Sequence, residues 1–129
     1  MILSNTQKGL EFERIAKEYF EEKYNVKFKK TKIKIGFNGG KLREFDLVNE
    51  ELKIIIECKN FRYTSGNNVP SAKISDFIKE VYKLYIAPEE YKKIICISKS
   101  YNKKGISLKN YILDKYYDFI PETIEVIEI

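Results

Sequence analysis

Two charged residues, Glu57 and Lys59, stand at the end of the most apolar run of the chain, residues 52–61 (LKIIIECKNF). A run of this composition is typical of a core strand, where a charged side chain is costly unless it has a partner. Mg²⁺ binds one or two carboxylates and leaves positions for phosphate oxygens. A lysine beside such a site can orient a water molecule and neutralise charge on a phosphate. The pattern therefore predicts a metal and phosphate site, provided that a second carboxylate is near.

The preceding segment, residues 43–49 (REFDLVN), can supply that carboxylate. Side chains alternate between the two faces of a strand. A hairpin with a two-residue connection puts position 46 opposite 55 and position 44 opposite 57, with positions 45 and 47 together on the other face. This register also keeps the apolar residues of the two strands aligned. It predicts one cluster on a single face, made of Glu44, Asp46, Glu57 and Lys59. Clustered carboxylates raise each other's pKa unless a cation lies between them.

The spacing Glu-x-Lys is by itself a weak signal. It also occurs at residues 51–53, in the connection between the two strands, and at residues 21–23, on a helix. A turn and a solvated helix face explain those two without any function. For Glu57 and Lys59, a structural ion pair at the end of the sheet is the main alternative.

The elements that position these residues follow from hydrophobic periodicity. Helical spacing predicts a first helix from Ser4 to about Tyr24, with Asn25 as its stop. Period-two alternation predicts a strand in residues 26–37 with its lysines on one face, followed by an Asn-Gly-Gly turn. The later elements are strands at 43–49 and 52–60, a helix capped by Ser71, a strand at 92–98, a helix at 106–117 and a strand at 123–129. The order α-β-β-β-α-β-α-β predicts one α/β domain, residues 1–129, with a mixed sheet flanked by helices on both faces.

The composition excludes several classes of protein. The chain has no histidine, which excludes Ser-His-Asp and Cys-His catalysis and imidazole-ligated zinc sites. Its net charge of +5 permits an anionic partner such as nucleic acid. No run is apolar enough to span a bilayer, so we expect a soluble cytoplasmic protein with no membrane partner. The cysteines, Cys58 and Cys96, lie in apolar strand segments, where we expect reduced packing thiols.

The segments REFDLV and IIIECKN, preceded by a helix with KGLEFE and followed by another helix, resemble the PD-(D/E)XK nuclease superfamily. The resemblance covers nearly the whole chain, because the core order of that restriction-endonuclease-like fold is α-β-β-β-α-β, here followed by α-β. KGLEFE and ECK are similar to Mrr-type endonucleases and archaeal Holliday-junction resolvases. Two features of the family pattern are absent. Phe45 replaces the proline before Asp46, and the Mrr-like glutamine near the second helix is missing.

The resemblance implies Mg²⁺-dependent hydrolysis of DNA by an endonuclease that acts as a homodimer, and it leaves open whether Mn²⁺ can replace Mg²⁺. We expect structure-selective or nonspecific cutting. It implies that Asp46, Glu57 and the Cys58 backbone carbonyl bind the metal, and that Lys59 positions the attacking water. Glu13 on the first helix would complete the metal shell. A catalytically silent nucleic-acid-binding module on the same fold is the second hypothesis, and an interaction subunit held by an ordinary ion pair is the third.

Further residues suit contacts with a DNA backbone. Ser71 and Lys73 begin the second helix, whose N-terminus offers free N–H groups to a phosphate. Glu44 is a candidate for a secondary role, either as an alternative ligand or paired with a lysine. We also expect phosphate contacts from Lys30, Lys32, Lys34, Lys103 and Lys104.

Overall fold

The computed structural model describes residues 2–129. Within them the elements follow the order α-β-β-β-α-β-α-β that the periodicity predicts. The helices are α1 (Asn5–Tyr24), α2 (Ser71–Tyr85) and α3 (Leu108–Tyr116), and α3 continues into a 3₁₀ turn at Tyr117–Phe119. The strands are β1 (Lys29–Ile35), β2 (Lys41–Asn49), β3 (Ile54–Lys59), β4 (Lys92–Ile97) and β5 (Ile124–Glu128).

The five strands form one mixed sheet in the order β1-β2-β3-β4-β5. β1, β2 and β3 pair antiparallel, whereas β3, β4 and β5 pair parallel. Parallel neighbours need crossover connections, and α2 and α3 supply them. Ile94, Ile95 and Ile97 in β4 are fully buried, as expected for a strand that is covered on both faces. The predicted α/β class with a mixed sheet is therefore confirmed.

Helices cover both faces of the sheet. On one face, α1 packs Phe12, Ala16 and Phe20. On the other face, α2 packs Ile74, Phe77, Val81 and Leu84 beside α3. Because β3 is covered on both sides, its successive residues Ile55 and Ile56 belong to different hydrophobic clusters. Among the described residues, no helix has both the length and the apolar character needed to cross a bilayer.

The ends of α1 are fixed by its own sequence. The Ser4 side chain accepts a hydrogen bond from the Gln7 N–H, and the Gln7 side chain accepts one from the Ser4 N–H, which forms a capping box. The helix ends at Asn25, which adopts a left-handed conformation with φ 53°, a conformation that asparagine tolerates better than most residues. Both signals are local, and the predicted bounds of α1 are confirmed to within one residue.

The predicted pairing of β2 with β3 is wrong by two residues. Leu47 lies opposite Ile56, whereas the predicted register puts position 47 opposite 54. The reason is the connection, which has four residues, 50–53, because Lys53 turns back with a positive φ of 57°. The Asn49 side chain stabilises this turn by accepting from the Leu52 N–H. A shift of two residues preserves the face on which each side chain lies.

The predicted strict alternation of β2 is also wrong. Phe45 packs in the cluster on the α2 side, whereas Leu47 packs in the cluster on the α1 side. The cause is a β-bulge, since β1 advances from Lys29 to Thr31 while β2 advances from Val48 to Phe45. A bulge adds one residue to a strand and re-aims the side chains at that point. Asp46 lies within the bulge.

The predicted N-cap of α2 is wrong as well. Pro70 is the N-cap, with an extended backbone and no side-chain hydrogen bond, and its carbonyl accepts from the Ile74 N–H. Ser71 is therefore the first helical residue and not the cap.

Candidate active site

A cleft of about 460 Å³ opens between α1, α2 and the end of the sheet where β3 finishes. Its lining combines residues from the first half of α1, from β2, from the end of β3 and from α2. Seven of the residues singled out in the sequence line it: Glu13, Glu44, Asp46, Glu57, Cys58, Lys59 and Lys73. The fold thus gathers residues that are up to sixty positions apart into one cavity.

Asp46 and Glu57 are linked to each other's strands at the point where the β2–β3 ladder ends. The Asp46 N–H donates to Glu57 Oε1 at 2.8 Å, and the Cys58 N–H donates to Asp46 Oδ2 at 2.9 Å. Each carboxylate thus accepts a hydrogen bond from a backbone N–H of the neighbouring strand. In a regular ladder, a backbone carbonyl oxygen is the acceptor. The two bonds lie just beyond the last β2–β3 pair, Leu47 with Ile56, and beside the bulge in the β1–β2 ladder. The arrangement holds two carboxylates side by side on rigid strands.

Two residues of α2, Glu80 and Lys83, complete the charge pattern of the cleft. Lys83 Nζ lies 3.3 Å from Glu57 Oε2 and 2.6 Å from the backbone carbonyl oxygen of Glu44. It also lies 4.4 Å from the centre of the Phe45 ring, a cation–π distance. Glu80 lies between two lysines, with Oε1 3.7 Å from Lys59 Nζ and Oε2 3.8 Å from Lys83 Nζ. Positive and negative groups therefore alternate along the wall of the cleft.

Burial dominates the electrostatics of the two strand carboxylates. Glu57 is only 4% exposed, and burial, with contact from the Glu80 carboxyl and the charge of Asp46, raises its pKa to about 9 despite the opposing effect of Lys83. Burial also raises the pKa of Asp46, with a contribution from Glu13, although the Cys58 N–H lowers it. For each of these two carboxyl groups, the nearby positive charge does not offset the cost of burying the ionised form.

The carboxyl of Glu80 behaves in the opposite way. Burial acts to raise its pKa, but contact with Glu57 and the charges of Lys83 and Lys59 together outweigh burial, so the pKa is lowered. Two adjacent carboxyls whose pKa values move apart share one proton at neutral pH, and here that proton lies on Glu57.

The remaining candidates lie at the rim of the cleft or outside it. Glu13 Oε1 lies 3.2 Å from Lys30 Nζ, so this lysine contacts a residue that lines the cavity. Ser71 is exposed at the start of α2 and does not line the cleft. Lys32 and Lys34 are exposed on β1, and Lys103 and Lys104 are exposed in the loop that follows β4. The Lys103 N–H donates to the Asn67 side chain, which ties that loop to the loop after β3.

Glu80 and Lys83 were not singled out in the sequence, although a signal for them exists. The apolar stripe of α2 at positions 74, 77, 81 and 84 has a polar border on one side, formed by Lys73, Glu80 and Lys83. All three line the cleft. Because residues three and four apart share one helix face, a charged stripe beside the buried stripe indicates polar groups that face the same cavity.

The donor set of the cleft fits a hard divalent cation such as Mg²⁺. Asp46 and Glu57 are oxygen ligands next to the Cys58 backbone, and each carboxylate keeps acceptor positions beyond the hydrogen bonds described above. Glu80 Oε2 is buried without a hydrogen-bond partner, which leaves this oxygen free to accept a hydrogen bond. Within residues 2–129, no three His, Cys, Asp or Glu side chains are grouped closely enough to hold a metal ion together. The fit is therefore to a two-carboxylate site, which suffices for Mg²⁺ when water and phosphate fill the other positions.

Comparisons with known proteins give no relative for this chain. No protein-family model, no curated protein and no solved structure matches it.

Proposed function

We propose that this protein is a Mg²⁺-dependent endonuclease of the PD-(D/E)XK type that hydrolyses phosphodiester bonds of DNA. The restriction-endonuclease-like arrangement of the sheet is part of the same proposal. One observation carries it: the Glu57 carboxylate accepts from the Asp46 N–H and the Asp46 carboxylate accepts from the Cys58 N–H, next to Lys59, in one cleft. The sequence resemblance is the second support, since it implies these residues for metal binding and water positioning.

The chemistry assigns a distinct task to each group. When bound, Mg²⁺ would supply Lewis-acid stabilisation of the phosphate and activation of water, and Asp46, Glu57 and the Cys58 carbonyl would hold it. Lys59 orients the attacking water and neutralises charge that develops on the phosphate. Glu13 and Glu44 lie at the edges of the same cleft, where each can hold a water of the metal shell.

Several lysines make DNA the preferred substrate class. Lys73 lines the cleft, Lys30 pairs with Glu13 of its lining, and Lys32 and Lys34 follow Lys30 as exposed residues of β1. Such a row can follow a phosphate backbone. We further expect a homodimer that presents two clefts to one duplex or junction, which the mass in solution from light scattering would test.

A catalytically silent nucleic-acid-binding module is the second candidate. The observation in its favour is that both oxygens of Glu57 already have partners within the chain, Asp46 and Lys83. Such a module would bind DNA with a steep dependence on salt but would not cut it.

The experiment that tests the proposal is cleavage of labelled four-way junction, flap, duplex and single-stranded DNA in Mg²⁺ or Mn²⁺. Wild type is compared with Asp46→Ala and Lys59→Ala. The chain offers matched controls, because Glu51 and Lys53 repeat the Glu-x-Lys spacing on the exposed turn before β3. Circular dichroism establishes that each variant is folded.

We expect metal-dependent cleavage by wild type, Glu51→Ala and Lys53→Ala, and its loss in Asp46→Ala and Lys59→Ala. DNA binding without cleavage by wild type would favour the silent module. Cleavage that survives in both cleft variants would overturn the assignment of the site.

A further inference from the structure

We infer that Glu80 of α2 is a positioning residue for Lys59: it holds the lysine amine over the cleft in the place from which that amine acts on the substrate. This inference rests on the proposed function, since it assigns a role to Glu80 only if Lys59 takes part in cleavage. It adds to the site a residue of a helix, whereas Asp46 and Glu57 lie on strands.

The geometry that supports this role begins with the position of Lys59. It is the last residue of β3, and its side chain is 37% exposed. A long side chain in that setting has many rotamers, and ordering it costs conformational entropy. Glu80 Oε1, 3.7 Å from Lys59 Nζ, restricts it from the side of α2.

Glu80 is itself well held. Its side chain is only 17% exposed, and Lys83 lies one helical turn away with Nζ 3.8 Å from Oε2. Lys83 in turn is anchored by the Glu44 carbonyl and by Glu57. The chain of contacts therefore runs from the rigid sheet through Lys83 and Glu80 to Lys59, so the position of the lysine is tied to that of the carboxylates. Precise placement of this kind is a large part of catalysis, and a shift of about 1 Å can cost about a hundredfold in rate.

Asp76 provides a matched control on the same helix. It is exposed, and it lines a small cavity with Lys59. Asp76→Asn and Glu80→Gln therefore each remove one negative charge from the same side of Lys59, but only Glu80 is within ion-pair distance of the amine.

The first measurement is single-turnover cleavage at saturating DNA with Mg²⁺. We expect Glu80→Gln to lower the rate about ten- to a hundredfold, with DNA affinity in EDTA retained within about twofold, and Asp76→Asn to match wild type in both. In a Lys59→Ala background, we expect Glu80→Gln to cause no further loss, because residues that act as a unit are not additive.

The second measurement needs neither metal nor activity. Acetic anhydride at limiting concentration labels lysines at pH 8 in EDTA, and peptide mass spectrometry gives the rate for Lys59 relative to the exposed Lys8. Loss of an ion pair that is partly exposed should raise that relative rate about 1.5- to 5-fold in Glu80→Gln, and Asp76→Asn should leave it unchanged.

The outcomes separate this inference from the proposed function. No cleavage by wild type on any DNA would overturn both. Normal cleavage by wild type with an equal rate for Glu80→Gln would overturn the inference alone. So would equal slowing by Asp76→Asn, which would indicate a general effect of charge, or an unchanged labelling rate of Lys59 in Glu80→Gln.

Discussion

Replacement of Glu57 by glutamine should stabilise the metal-free protein at neutral pH. The carboxyl of Glu57 is buried, and its pKa in the folded protein is raised from 4.5 to about 9. At neutral pH the folded protein therefore takes up a proton at this position that the unfolded chain does not hold. Glutamine is neutral at every pH and has nearly the same shape. It can still accept from the Asp46 N–H, as Oε1 does now, and its amide can donate to Glu80.

The magnitude follows from the pH interval over which the proton is taken up. Each pH unit above 4.5 costs the folded state about 1.4 kcal/mol of stability, so at pH 7 the upper limit is about 3 kcal/mol. Lys83, 3.3 Å from Glu57 Oε2, stabilises the ionised form and reduces this figure. Its amine also loses that acceptor in the variant. We therefore expect Glu57→Gln to raise the free energy of unfolding by about 1–3 kcal/mol at pH 7 in EDTA.

The direction of the pH dependence is distinctive. A carboxyl whose folded pKa is raised contributes stability that is fully present below pH 4.5 and is lost as the pH rises toward 9. The raised pKa of Asp46 acts in the same direction. The lowered pKa of Glu80 changes the folding stability only as the pH falls to 4.5 and below, where the unfolded chain takes up a proton at this position. Because the chain has no histidine, few other groups titrate between pH 5 and 8.

Urea unfolding in EDTA at intervals from pH 5 to 8 measures this effect. We expect wild-type stability to fall with a slope of about 0.5–1.4 kcal/mol per pH unit, and Glu57→Gln to reduce the slope markedly. Glu51→Gln on the exposed turn is the control and should follow wild type. Millimolar Mg²⁺ should stabilise wild type more than Glu57→Gln, because ligand binding adds to folding stability. Wild-type stability that is constant or rises from pH 5 to 8, or a glutamine variant that is less stable than wild type, would refute a raised pKa of Glu57 as the cause.

Three further perturbations test other parts of the structure. Lys83→Met should lower the free energy of unfolding by about 1–3 kcal/mol, because it leaves the Glu44 carbonyl oxygen and Oε2 of the buried Glu57 without the amine that donates to them; the exposed Lys79→Met on the same helix should have little effect in the same urea assay. Burial raises the pKa of the Cys96 thiol to about 12, so Ellman's reagent at pH 8 should label it much faster in urea than in the native protein, and equal rates would contradict its burial. Gly40→Ala should cost about 1–2 kcal/mol, since Gly40 has φ 80° and a Cβ there would lie 2.9 Å from a lysine side chain of β1. Gly39→Ala, with φ 83° but open space around its Cβ, should cost less, and equal losses in calorimetry would show that the contact has no effect.

Local signals in the sequence sufficed for the elements and their order. The capping box at Ser4, the left-handed Asn25 and the apolar run of β4 each depend on neighbours along the chain. The predictions of strand pairing and side-chain direction were wrong where a tertiary contact or the local backbone conformation overrides the simple alternation along a strand. The turn at Lys53 lengthened the β2–β3 connection, and the bulge at Asp46 sent Phe45 and Leu47 to opposite cores.

The sequence by itself determined which strand residues could form a site, because a carboxylate and a lysine at the end of a buried strand need partners, and the preceding strand supplied Asp46. Only the tertiary structure decided how the pair is held, namely by hydrogen bonds that the two carboxylates accept from backbone N–H groups of the neighbouring strand. It also decided that Glu80 and Lys83 take part. The physical reason is that ion pairing depends on distance in space, and the packing of α2 on the sheet brings residues 80 and 83 against residues 57 and 59.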